Sequence, residues 1–213
     1  MKKRYLLMGI TAILVATTIV GGSLAATNAT GETASNTLAA PTLSVGLSGT
    51  ATKSLEVSAA NRVMPGDQLQ GSFTVKNNAD VSQFVRVTVT KYWKNADGSK
   101  NVQDDTANLA FTWSSGSWTQ AADPFAGDAG MSQEQYVYYY QQVLDAGVST
   151  PVSFTIGVDQ KLGNQYQNTG IALDVSVDAV QYVSGDDALN ADGILSAWGV
   201  TAQVSGKKIS SVA

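Results

Sequence analysis

The chain has 213 residues, 13 of them basic and 17 acidic, with no histidine and no cysteine. Without histidine it lacks the usual general base, the usual zinc ligand and the serine-histidine triad; without cysteine it lacks a thiol nucleophile and disulfide staples. The acidic balance is the opposite of a nucleic-acid footprint, and an apolar content of 44% over this length suits one folded domain rather than a disordered chain.

Met1 to Ala25 reads as an export signal. Lys2, Lys3 and Arg4 form the charged start, Leu6 to Val20 the apolar run, and Ser23-Leu24-Ala25 a small-x-small cleavage site. A signal peptidase is therefore the expected partner during export, cutting before Ala26 and leaving a secreted protein with no membrane anchor. The alternative is a retained membrane helix, but the apolar run is shorter than the usual span of about 20 residues, and Gly21, Gly22 and Ser23 weaken its end. Residues 26–41 are almost all Ala, Thr, Asn, Gly and Ser and are expected to be a flexible lead, followed by one domain over 42–213.

Within that domain the dominant signal is period-two alternation. Leu43, Val45 and Leu47 alternate with serine and glycine; Leu55 and Val57 with Glu56 and Ser58; and after a Pro65-Gly66-Asp67 turn, Leu69, Phe73 and Val75 share a face up to Asn77-Asn78. Val85, Val87 and Val89 run on into Tyr92 and Trp93, and Asn95-Ala96-Asp97-Gly98 predicts a hairpin. Val152, Phe154, Ile156 and Val158 form a further half-buried strand, as do Ile171, Leu173, Val175 and Val177. One-sided strands belong to antiparallel sheets that cover one another, so the expected fold is all-β, an antiparallel β-sandwich. Asp187 to Trp198 breaks the pattern: Ala188, Ala191, Leu195 and Trp198 fall at helical spacing, with Asp186 or Asp187 as N-cap and Gly199 beyond the end. A short helix decorating the sandwich is expected there, and Val200, Ala202 and Val204 then resume a strand.

Several stretches, in order, resemble the TasA/camelysin family of secreted Gram-positive proteins processed by the SipW type of signal peptidase. They are the leader Val15 to Ala25, Met64-Pro65-Gly66-Asp67 with Phe73 to Asn78, Tyr138-Tyr139-Tyr140 with Leu144 and Gly147, Gly163 to Gln167, Val177 to Gln181, and Ala197 to Val200. The resemblance implies a jelly-roll sandwich, export, and a structural role as the subunit of fibres in a biofilm matrix, with partners that are further copies of the chain and other matrix components. It also brings a metalloprotease label. A zinc protease needs about three protein ligands, usually including histidine, and a carboxylate base, and this chain has no histidine and no His-Glu-x-x-His helix. The expectation is a non-enzymatic protein with no cofactor and no catalytic or metal residues.

Calcium is a separate question, because Asp186 to Gly193 and Asn95 to Gly98 are rich in oxygen ligands. Ala188 and Trp93 stand where the first ligand should be, and capping and turn formation account for these residues. Trp113, Trp118 and the Tyr136, Tyr138, Tyr140 face are expected to fill core and edge; a carbohydrate-binding or adhesive surface is the alternative. No motif places a serine beside Lys53, Lys91 or Lys161, so a serine-lysine dyad has nothing to support it.

Open sheet edges are templates for strand addition. The strand carrying Leu43, Val45 and Leu47 has two readings: it is the first strand of its own domain, or it is donated to the next subunit, a heterologous contact that propagates as a filament. No Leu-Pro-x-Thr-Gly signal follows Val204, so release or retention by other matrix components is expected rather than covalent wall attachment.

Overall fold

The computed structural model describes residues 42–45, 51–58, 63–122, 134–166 and 168–213, all within the compact unit Asn36–Ala213. The cleavage residues Ser23, Leu24, Ala25 and Ala26, the lead 26–41 and Leu47 lie outside the described residues.

The alternating segments form two facing sheets. Sheet one has the order β1 (Thr42–Val45), β3 (Gln68–Asn77), β9 (Ser149–Val158), β6 (Leu109–Trp113). Sheet two has the order β2 (Ala51–Ser58), β10 (Gly170–Gln181), β4 (Gln83–Lys94), β8 (Gln135–Tyr140), β7 (Trp118–Gln120), with β5 (Lys100–Asn101) on the end of β4. Because side chains alternate across each strand, one face of every long strand is apolar and the two apolar faces meet. Phe73, Val75, Val152, Phe154 and Ile156 of sheet one share a core with Leu55, Val87, Val89, Leu173 and Val175 of sheet two. The fold is the all-β sandwich that the alternation predicts.

One pairing is parallel. β1 lies beside β3 with Thr42 opposite Thr74 and Val45 opposite Asn77. The chain leaves sheet one after β1, runs through β2 in sheet two and returns as β3, and two reversals bring back a strand of the same sense. The other ladders are antiparallel.

The turns behave as their residues dictate. At Pro65-Gly66 the Asp67 carboxylate accepts from Met64 N at 2.8 Å, and Gly66 takes φ +87°, a conformation that suits a residue without Cβ. The β4–β5 hairpin closes through Gly98 N to Asn95 O at 2.9 Å, with Asp97 Oδ1 accepting from Ser99 N.

A second, smaller core sits on the outer face of sheet two. There α1 (Asp187–Trp198) and the hairpin β11 (Ala202–Ser205), β12 (Lys208–Val212) cover Phe84 and Tyr139. Asp186 is the N-cap, accepting from Leu189 N, and Gly199 ends the helix in the left-handed conformation. The buried stripe is rotated from the one expected. Asn190, Ile194 and Trp198 face inward, whereas Ala188 and Leu195 are exposed. A polar residue holds one of the three buried places, so a search for apolar spacing settles on the wrong face.

Candidate functional site at the strand edges

β1 is four residues long. Leu43 and Val45 turn inward and are 3% and 1% exposed, while Thr42 and Ser44 face outward. Asn78 N donates to Val45 O at 2.9 Å and closes the far end. β1 covers only Thr74 to Asn77 of the ten-residue β3; Gln68 to Phe73 pair with β9 on one side and, among the described residues, with no strand on the other. Among the described residues, this edge therefore presents backbone groups in line with β1.

The slot that holds β1 is fixed at its end by Asn77, which is fully buried. Its Nδ2 donates to Val81 O at 2.8 Å and Leu144 O at 2.9 Å, and its Oδ1 accepts from Ala79 N. The first asparagine of the pair that the sequence marks as a strand end is thus also a buried crosslink between sheet one and the segment after β8.

The opposite side of the sandwich is bounded by β6 in sheet one and β7 in sheet two, and it is lined with aromatic rings. Trp113 stacks on Tyr138 at 4.0 Å between centroids, and Trp118 lies 5.0 Å from Tyr140 and 5.2 Å from Trp113. Phe111 fits between Tyr136 and Phe154. Tyr136 and Tyr138 are buried, and burial pushes the Tyr138 hydroxyl well above its ordinary range. Ring-on-ring packing thus uses the surfaces that a sugar would need, leaving Trp118 and Tyr140 half-buried.

Alternation from Val85 to Trp93 places Lys91 on the core face, although its residue type argues for solvent. It is 3% exposed, and its ammonium donates to Leu109 O at 2.5 Å and to Tyr136 Oη at 3.1 Å. Burial lowers its pKa to about 8, against the opposing fields of Asp105 and Glu134. Lys91 was not singled out from the sequence as a buried site; its place in the period-two count is the signal that points to it.

The carboxylates are dispersed. Asp178 pairs with Arg86 at 2.9 Å, Glu56 with Lys94 at 2.6 Å, Glu134 with Lys100 at 3.1 Å and Asp145 with Lys207 at 2.9 Å. Asp174 accepts from Tyr92 and Ser54, and Asp105 and Asp186 cap helices. Among the described residues no three acidic side chains gather where they can hold a metal ion, and no helix is long and apolar enough to cross a membrane.

A family model described as camelysin metallo-endopeptidase matches residues 1–115. No curated protein and no solved structure matches the chain. That description implies a metal. The donor chemistry does not fit one: histidine and cysteine are absent from the whole sequence, and the described carboxylates are distributed singly among caps, turns and ion pairs.

Proposed function

The chain belongs to the camelysin family, and from that premise we propose that it is a secreted, non-enzymatic structural protein that self-assembles into fibres of the extracellular or biofilm matrix, in company with other matrix components. The mechanism is donation of the strand that carries Leu43 and Val45 to the next subunit.

One observation carries this reading. β1 is a four-residue parallel edge strand anchored by two inward side chains, and among the described residues Gln68 to Phe73 of β3, in line with it, have no strand on that side. Ordering four residues costs about 1–2 kcal/mol each for the backbone, and each buried side chain returns about 1.5–3 kcal/mol, so β1 is held with little surplus. A strand held so weakly can exchange with its counterpart from another copy. Exchange around a non-closing, head-to-tail contact yields a filament rather than a dimer.

The test is deletion of residues 26–47. Electron microscopy of the exported protein is expected to show filaments for the full chain and none for the deletion, whose remaining sandwich stays soluble. Undiminished filaments after the deletion would end the donor-strand reading.

A further inference from the structure

Two strands bound each sheet of the sandwich: β1 and β6 in sheet one, β2 and β7 in sheet two. Three of these carry no charged residue anywhere in their length: Thr42–Val45, Leu109–Trp113 and Trp118–Gln120. The stretch of β3 in line with β1, Gln68 to Phe73, is uncharged as well. β2 differs. Its register on β10 sets Leu55 opposite Leu173 and Lys53 opposite Val175, and residues directly opposite in a ladder point to the same face. Leu55, Leu173 and Val175 are all buried in the core between the sheets, so Lys53 is rooted on the core-facing side of its strand. Yet Lys53 is exposed, and it takes part in none of the ion pairs among the described residues. A lysine rooted on the inner face reaches water only by leaving over the sheet edge.

A second irregularity lies on the same strand. The register shifts between Ile171, opposite Ser58, and Ala172, opposite Glu56, so Val57 is an extra residue on β2. Such a bulge bends its strand and increases the local twist. An inward-pointing charge and a bulge are two of the devices that keep sheet edges from pairing with other chains. β2 is a strand that needs them: it pairs with β10 on one side and, among the described residues, with no strand on the other.

We propose that Lys53 guards the β2 edge against strand addition by a second copy of this chain. A strand arriving there would lie across the path that the side chain takes to water and would enclose its ammonium beside the apolar core. Burying an unpaired ion costs several kcal/mol, more than a few added ladder bonds return at about 1 kcal/mol each. The uncharged edges are left as the places where copies can meet. The guard is independent of donor-strand assembly, because it concerns an edge that such assembly does not use.

The experiment compares the exported wild-type chain with Lys53→Val and Lys53→Thr. Amide hydrogen exchange is followed along β2 as protein concentration is raised, beside sedimentation velocity. In the wild type, the β2 amides that do not bond β10 should exchange at one rate at every concentration. In both variants they should slow about tenfold or more as concentration rises, and a new oligomer should appear with them. A tenfold change corresponds to about 1.4 kcal/mol, less than the cost of burying a charge. Both replacements suit a strand, and either alone decides if the other fails to fold. Lys53→Arg keeps the charge and should behave as the wild type. So should Lys161→Val, which removes a lysine from an exposed turn and changes the net charge equally. Exchange along β2 that stays independent of concentration in the uncharged variants overturns the inference, as does equal slowing in Lys161→Val. Wild-type amides already protected on this edge at the lowest concentration would mean that another segment covers it, and would overturn it as well. Absence of wild-type filaments would end the assembly reading and leave each of these outcomes unchanged.

Discussion

The side chain of Asn190 holds both backbone groups of Val183: its Oδ1 accepts from Val183 N at 2.8 Å and its Nδ2 donates to Val183 O at 2.8 Å. Val183 follows directly on the exit from β10, where Tyr182 N donates to Ser82 O. The asparagine thus acts as a one-residue strand, pairing the chain just where the ladder stops, and it ties α1 to the outer face of sheet two. It is 1% exposed, so these bonds are shielded from water.

Replacing Asn190 with Leu keeps most of the volume and strands both Val183 groups. With about 1–3 kcal/mol for each buried group left unpaired, the loss should be roughly 2–6 kcal/mol in urea unfolding. Hydrogen exchange should also rise first across α1 and the β11–β12 hairpin. A loss under about 0.5 kcal/mol, the range of ordinary surface changes, would show that the clamp contributes nothing.

Strands whose two faces differ were legible in the sequence. Val152 to Val158 and Leu173 to Val177 alternate in burial as their residue types alternate, and the capping of α1 by Asp186 and Gly199 was readable from residue chemistry. Three features were not, because each rests on a contact between distant segments. The buried stripe of α1 includes Asn190, whose place is decided by Val183 rather than by hydropathy. The parallel register of β1 on β3 depends on the path through sheet two, which alternation does not encode. Gln83 begins an apolar run, yet nothing local reveals that its amide is enclosed and unpaired. Lys91 is intermediate: its position in the period was visible, and its residue type concealed it.

The pH dependence of stability should carry the mark of Lys91. Its folded pKa of about 8 lies below the ordinary 10.5, so the unfolded chain binds its proton more tightly and the buried charge destabilises the fold. That penalty is complete below about pH 8 and disappears as pH rises towards 10.5, a gain of about 3 kcal/mol at 1.4 kcal/mol per unit. Tyr92, Tyr138 and Tyr139 act in the other direction: burial raises each folded pKa, so the stability that depends on their protonated forms is lost above pH 10. Urea unfolding should therefore strengthen from pH 8 to about 10 and weaken beyond it. Lys91→Met should remove the rise, and a variant that keeps it would refute the assignment.

Gly71 should not accept a side chain. It sits on the core face of β3 opposite Phe154, whose ring occupies the space that a Cβ would need. Gly71→Ala forces the ring to move within a packed core and should cost about 1–3 kcal/mol in thermal or urea unfolding. Phe154→Leu makes room. Combining the two should therefore cost less than the sum of the single changes by about 1 kcal/mol or more, a coupling that a double-mutant cycle reads directly. Additive costs would mean that the two residues do not compete for space.

The release of β1 has a signature that separates a detachable strand from an integral one. If β1 leaves as a unit, a substitution within it can destabilise the domain only up to the free energy of docking that strand, and further damage to the same strand adds nothing. Leu43→Asp and Val45→Asp each place a charge at a buried position, so each alone should already free β1. The double variant should then unfold in urea with almost the same midpoint as either single one. In all three the amide of Asn78 should lose the protection that the Val45 carbonyl gives it, while that of Gly66, bonded to Val158 O, keeps its own. Filaments should be absent from all three if the same strand is the donated one. Costs that accumulate beyond about 5 kcal/mol in the double variant would instead make β1 an inseparable part of the core, and the strand would then be too firmly seated to exchange.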